Sequence, residues 1–116
     1  MAVETMPLRA SCLICGLKRW WNIGGLPLFA LGGELTIGYA IQLKKKYGEH
    51  IFVLGFSNDI MGYIPTLTVF KEGGYEGASA QLEYGLPGLW APEIESVILN
   101  AIDTVAGQTG ISPLTK

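Results

Sequence analysis

The segment LPLFALGGELTIGYAIQLKKKYGEHIFVLGF, residues 26–56, contains two short apolar runs separated by a segment with helical spacing. The runs are Leu26–Leu31 and Ile51–Phe56, and each is continuous, as in strands that are covered on both faces of a parallel sheet. A crossover between two parallel strands is right-handed in nearly all known cases. The segment therefore predicts a βαβ unit with parallel strands, and with it an α/β fold.

The segment between the two runs predicts a helix over Glu34–Tyr47. Its apolar residues recur at every fourth position and have apolar neighbours on the same face: Leu35, Tyr39 and Leu43, flanked by Ile37, Ala40 and Ile41. The basic run Lys44–Lys46 falls in the last turn, where cations interact favourably with the helix dipole, and Gly48 suits the C-cap. The basic run is therefore explained as a helix end.

A second helix is predicted near the carboxyl terminus, over residues 92–106. Pro92 suits its first position, and Gly107 suits its end. Its apolar stripe is Ile94, Val97, Ile98, Ala101, Ile102 and Val105. The intervening residues 57–90 are rich in glycine and proline and predict a loop-rich region with a short helical turn near Leu67–Lys71.

Two domain segments follow from this pattern, an irregular N-terminal segment over residues 1–22 and an α/β piece over residues 23–116. In the first, the pair Trp20 and Trp21 is interpreted as packing on the first strand, with a membrane-interface anchor as the alternative. Cys12 and Cys15 form a C-x-x-C without a second pair, so we interpret them as small hydrophobic residues, with metal and redox roles left open.

Composition and charge exclude several classes of protein. The chain has 116 residues, so we expect one domain, and 49% of its residues are hydrophobic, which is enough for a core. Its net charge is −2, and its basic residues form no nucleic-acid footprint. No segment reaches the roughly 18–20 apolar residues that a membrane span needs, so we expect no transmembrane segment.

Two polar loops should meet at the carboxyl edge of the predicted sheet, where open α/β sheets bind ligands. Glu34 follows Gly33 after the first strand, and the loop after the second strand contains Asn58 and Tyr63. Glu34 can serve the helix dipole or act as a carboxylate ligand, and Tyr63 can pack its ring or, deprotonated, bind a metal. His50 should lie at the opposite edge of the sheet.

Three blocks, LFALGGELT, FVLGFSNDIMGYIPT and GGYEGAS, resemble the neutral/alkaline (non-lysosomal) ceramidase family. That family has Pro-Gly-Glu after a strand, Asn-x-x-x-x-Tyr-x-x-Thr after the next strand, and Tyr-Glu-(Gly/Ala)-(Ala/Gly)-Ser a few residues later. The order and approximate spacing match over residues 26–107, which correspond to the carboxyl-terminal part of the family's catalytic domain. Gly32 stands where the family has proline.

The resemblance implies a zinc-dependent amidase that splits the N-acyl bond of ceramide. It implies zinc as the cofactor and Glu34 and Tyr63 as two of its ligands. Other residues of the three blocks would shape, line or brace the site: Gly33, Asn58, Thr66, Tyr75 and Glu76. The polar loop after the buried strand would then present a metal ligand.

The resemblance also implies that the site is incomplete in this chain. The family's two zinc histidines and its nucleophilic serine lie far upstream of the glutamate, in sequence that this chain lacks. We therefore expect a fragment that is inactive alone, whose partner is the missing N-terminal part of the catalytic domain or a second copy. The alternative is a catalytically dead remnant or a small α/β interaction module.

Overall fold

The computed structural model describes residues 18–58 and 60–115, with side chains described from residue 20 onward. It is an α/β fold, as the sequence predicts. The strands are β1 Lys18–Ile23, β2 Leu26–Leu31, β3 Glu34–Leu35, β4 Phe52–Leu54 and β5 Tyr63–Ile64. The helices are α1 Ile37–Tyr47, α2 Leu67–Glu72, α3 Ala80–Glu83 and α4 Ile94–Gln108, with a five-residue π-helix at Tyr75–Ser79.

The strands form two small sheets. In the first, the order is β1-β2-β4, with β2 and β4 parallel and β1 antiparallel to β2. The parallel pair joined by α1 is the predicted βαβ unit, which is thereby confirmed. The second sheet pairs β3 with β5 in parallel, and it lies directly beyond the carboxyl ends of β2 and β4.

The core lies between the inner face of the first sheet and the two long helices. Phe29 and Leu31 of β2 are buried there, and α1 contributes a stripe at every fourth position, Tyr39, Leu43 and Tyr47. The opposing stripe of α4 is Ile94, Ile98, Ile102 and Ala106. Continuous apolar burial of this kind is the main source of stability in a domain of this size.

An ion pair and a charge-assisted hydrogen bond join the end of α1 to α4. Lys46 forms a 2.6 Å ion pair with Asp103, and the Tyr47 hydroxyl donates to the same carboxylate at 2.6 Å. The backbone N–H of Gly48 donates to the Lys44 carbonyl at 2.8 Å, and Gly48 has φ 114°, so the predicted glycine C-cap is confirmed. The predicted basic last turn of α1 is likewise confirmed.

Within the predicted irregular segment of residues 1–22, the structure describes residues 18–22, and these belong to a strand. Residues 18–23 form β1, which pairs in full register with β2 through a turn at Gly24 and Gly25. Trp20 packs edge-on against Phe29 with ring centroids 4.0 Å apart, as predicted, whereas Trp21 faces outward and is 53% exposed. Cys12 and Cys15 lie outside the described residues.

The predicted start of the first helix is also wrong. Glu34 does not open a helix but lies in β3, and α1 begins at Ile37. The reason is long-range pairing, because the Glu34 N–H donates to the Gly62 carbonyl at 2.8 Å and the Thr36 N–H donates to the Ile64 carbonyl at 3.2 Å. Ile37 is 75% exposed and Ile41 is 60% exposed, so neither belongs to the buried stripe.

Other boundaries differ from the predicted ones by a few residues. The second strand is shorter than predicted, at Phe52–Leu54, and its alternate side chains are exposed, so it is not covered on both faces. The C-terminal helix is shifted, with Gly107 inside α4 and its end at Thr109 and Gly110, the latter with φ 78°. The short helical turn near Leu67–Lys71 is confirmed as α2. No helix in the described ranges is both long and apolar enough to cross a membrane.

Candidate functional site

Glu34 and Tyr63 are partner residues of the small parallel sheet formed by β3 and β5. Partner residues on adjacent strands have their side chains on the same side of the sheet, about 5 Å apart at the backbone. The predicted convergence of the two loops is therefore confirmed. His50 lies in the turn that precedes β4, at the amino end of that strand, and is exposed, so its predicted place at the far edge is confirmed as well.

Backbone hydrogen bonds between the two loops create this juxtaposition. The Phe56 N–H donates to the Gly33 carbonyl at 2.9 Å, and the Ser57 N–H donates to the Leu31 carbonyl at 3.1 Å. Gly33 has φ 75°, and a Cβ there would lie 2.6 Å from Cδ1 of Ile64. Residue 33 therefore favours glycine because of its left-handed backbone, and an added Cβ would also require the Ile64 side chain to shift.

The Glu34 carboxylate is the centre of a cluster of phenols. The Tyr84 hydroxyl donates to its Oε2 at 3.2 Å, and the phenol of Tyr63 lies close enough to the same carboxylate for Glu34 to raise the pKa of Tyr63. Hydrogen bonding to Glu34 is the largest cause that raises the pKa of Tyr63 to about 12, followed by partial desolvation. Desolvation and the hydrogen bond to Glu34 raise the pKa of Tyr84 as well. Both phenols are neutral at physiological pH, as an ordinary tyrosine is, and the raised pKa makes each harder to ionise.

A third phenol extends the cluster. The ring of Tyr75 meets the ring of Tyr63 edge-on with centroids 5.5 Å apart, and the Tyr75 hydroxyl donates to Glu83 at 2.8 Å. That hydrogen bond is the largest cause that raises the pKa of Tyr75. The ring of Tyr84 also meets the ring of Tyr63 edge-on, with centroids 6.4 Å apart. Such edge-on pairs are favourable for aromatic rings and fix their orientation.

Two buried side chains donate hydrogen bonds to the backbone of Tyr63. Its carbonyl accepts a 2.7 Å hydrogen bond from Nε1 of Trp90 and a 3.2 Å hydrogen bond from Nε2 of Gln81. Gln81 is fully buried, and its Oε1 has no protein partner within the described residues. These contacts hold the loop so that the ring of Tyr63 points toward Glu34 and Tyr75.

The remaining residues of the three blocks take different places. Asn58 has φ 72°, a left-handed conformation that asparagine tolerates better than most residues, which fits a loop-shaping role. Thr66 is buried and caps α2, where its hydroxyl accepts from the Val69 N–H at 3.5 Å. Glu76 is exposed in the π-helix, and no hydrogen bond among the described residues joins its side chain to the phenol cluster.

The donor set matches part of a zinc site. A carboxylate and a phenol are both oxygen ligands, whereas catalytic zinc takes three protein ligands, usually with nitrogen or sulfur among them. Across residues 18–58 and 60–115, no group of three or more His, Cys, Asp or Glu residues is arranged to hold a metal. Glu34 and Tyr63 can therefore supply two ligands, and this part of the chain does not complete the set.

Tyr84, Glu83, Gln81 and Trp90 were not identified from the sequence. Tyr84 is the most important of them, because it is the donor with the best geometry to Glu34. The sequence did contain a signal for Glu83. Tyr75 and Glu83 are eight residues apart, and a helical segment places both on one face. The neighbouring Tyr84 ends that segment just before Gly85.

Comparisons of this chain with models of protein families, with curated proteins and with solved structures return no match.

Proposed function

We propose that this chain is the distal part of a zinc-dependent amide hydrolase that resembles the neutral/alkaline ceramidases. In this proposal the Glu34 carboxylate and the Tyr63 phenolate are two of the zinc ligands. The observation that carries the proposal is the pairing of Glu34 with Tyr63 on parallel strands, because two sequence blocks of the resemblance meet there.

A bound zinc ion in such a hydrolase polarises a carbonyl oxygen and lowers the pKa of a metal-bound water. The contribution of this chain is to hold two oxygens in place. Tyr84 donates to one oxygen of Glu34 at 3.2 Å and so orients that carboxylate. Trp90 and Gln81 fix the backbone of Tyr63.

In the proposal, the phenol of Tyr63 would lose its proton on binding a divalent cation. Without a cation, the Glu34 carboxylate stabilises the neutral phenol and raises its pKa to about 12. Glu34 and Tyr63 would hold a divalent cation through their oxygens, and its charge would favour the phenolate of Tyr63 over the neutral phenol, whose proton would pass to solvent.

The proposed chain is inactive alone, since the family's nucleophilic serine and zinc histidines have no counterpart in it. The test is an assay of the purified 116-residue chain with an N-acylsphingosine and added zinc. We expect no release of fatty acid. Release of fatty acid that depends on zinc and is lost in Glu34→Gln would contradict the proposed incompleteness.

A second candidate is an α/β interaction module without catalytic activity, and a separate observation favours it. One face of the three-stranded sheet carries exposed apolar side chains, among them Trp21 and Phe52. The coding DNA directly upstream discriminates between the two candidates. An open frame that encodes His-rich and Gly-rich segments would support the hydrolase fragment, and its absence would support the module.

A further inference from the structure

The outward side of the three-stranded sheet is an apolar surface, which we call the outer face. Its register places eight residues there: Arg19, Trp21 and Ile23 of β1, Leu26, Leu28 and Ala30 of β2, and Phe52 and Leu54 of β4. Five of them are between 44% and 57% exposed, and Leu28 is half-buried. Alternate residues of the same strands, such as Trp20 and Phe29, face the core, so the outer face is distinct from it.

The area of the outer face is similar to that of the largest apolar patch on a typical monomer. The exposed fractions of the five residues correspond to roughly 500 Å² of accessible surface, using side-chain areas of about 150–250 Å². The largest apolar patch on an ordinary monomer is about 300–600 Å², and patches of that size are often functional. Burial of two such faces would remove roughly 1,000 Å², which reaches the lower limit of specific interfaces.

The outer face also contains an exposed tryptophan beside an apolar groove. A groove of about 230 Å³ is lined by Ile23, Leu26, Leu28 and Phe52. Trp21 is the cross-strand partner of Leu28 and projects next to this groove, 53% exposed. A surface that contains both the projection and the groove is self-complementary under a two-fold axis, because each copy then fills the groove of the other.

Electrostatics permit the same pairing. Seven of the eight residues of the outer face carry no charge, and Arg19 lies at one end of the face opposite Ala30, so the approach of the apolar part to a second copy costs no desolvation of ions. Aromatic side chains, which dominate the energetics of interfaces, stand on both outer strands as Trp21 and Phe52.

We propose that the outer face binds a second copy of this chain, face to face, with Trp21 of each copy in the groove of the other. The dimer is C2-symmetric, and its interface is isologous. This proposal is independent of the zinc proposal, because Glu34 and Tyr63 lie in the second sheet, outside the outer face.

The test is sedimentation velocity of the full 116-residue chain over a concentration series, for the wild type and three single variants. Trp21→Lys and Phe52→Lys place a charge in the interface, and we expect each to raise the dimer dissociation constant by roughly tenfold or more. Ile37→Lys is the matched control, because Ile37 is 75% exposed on α1 and lies off the outer face. We expect it to leave the dissociation constant unchanged. Circular dichroism of each variant checks the fold.

A photo-crosslinking amino acid in place of Ile23 gives a second readout that does not depend on a destabilising variant. The face-to-face arrangement predicts crosslinks to residues 21–28 and 52–54 of the other copy. Crosslinks confined to the free backbone edges of β1 or β4 would contradict it and indicate edge pairing instead. A wild type that stays monomeric at every concentration would also overturn the proposal.

Discussion

Glu34 and Tyr63 occupy partner positions in a parallel pair of two-residue strands, although one follows the first strand of the βαβ unit and the other follows the second. The Glu34 carboxylate is contacted by two phenols, those of Tyr63 and Tyr84. This arrangement links the fold to the proposed function, because the carboxyl edge of the parallel pair is where two separate loops bring their oxygens together.

The phenol of Tyr63 should titrate later than an ordinary tyrosine. Its pKa is raised from 10.0 to about 12, so the folded chain binds this proton more tightly than the unfolded chain does. The resulting stabilisation is fully present below pH 10 and is lost as the pH rises toward 12. We expect Glu34→Gln to move the pKa of Tyr63 back toward 10, as measured by the ultraviolet absorbance of tyrosinate during an alkaline titration.

Glu83→Gln is the control for that titration. The largest cause that raises the pKa of Tyr75 is its hydrogen bond to Glu83, so this variant should lower the pKa of Tyr75 and leave the Tyr63 transition in place. The Tyr63 transition itself is identified by its loss in Tyr63→Phe. A Tyr63 transition that is unaffected by Glu34→Gln would show that the carboxylate does not interact with this phenol.

Glu95 should matter for stability because it joins three helices. Its Oε2 accepts from the Leu67 N–H at the start of α2 at 2.6 Å, and its Oε1 accepts from the Gln42 side chain of α1. Glu95→Ala leaves both donors without this partner, and we expect a loss of about 1.5–3 kcal/mol in the free energy of unfolding. Chemical denaturation measures this loss. The control is Glu93→Ala, because Glu93 is exposed and lies close to Glu95 in the chain. Equal losses in the two variants would contradict this role of Glu95.

Two glycines of the chain should respond to alanine in opposite directions. A Cβ on Gly77 would lie 2.4 Å from the Val69 carbonyl oxygen, so the π-helix would have to move away from α2. We expect Gly77→Ala to destabilise the chain by about 1–3 kcal/mol. Gly107 lies in α4 with open space around it, and Gly107→Ala should stabilise by about 0.5–1 kcal/mol. Thermal unfolding of both variants measures the contrast, and two shifts of the same sign would contradict it.

Much of the fold could be predicted from local patterns. The continuous apolar run Leu26–Leu31 matches β2 residue for residue, and the stripe of Ile94, Ile98 and Ile102 matches the buried face of α4. These predictions succeeded because burial is periodic along each element. The glycine C-cap at Gly48 succeeded because its local geometry depends only on neighbouring residues.

The features that failed depend on partners distant in sequence. Glu34 has the local context of a helix start, yet its N–H pairs with Gly62, and that pairing makes it a strand residue. The strand Lys18–Ile23 has weak signals of its own and is defined by its register with β2. Tyr84 was missed for the same reason, because its importance arises only from its contact with Glu34.

The central claim is that Glu34 and Tyr63 are two ligands of one zinc ion, and its most direct test is the ultraviolet difference spectrum of the chain at neutral pH with zinc in large excess. The pKa of about 12 keeps Tyr63 neutral without a cation, so the account predicts that zinc produces a tyrosinate band. That band should be absent in Tyr63→Phe, strongly reduced in Glu34→Gln, and retained in Tyr47→Phe, whose phenol contacts Asp103 instead. Absence of a tyrosinate band in the wild type, or its persistence in Tyr63→Phe, would contradict the account.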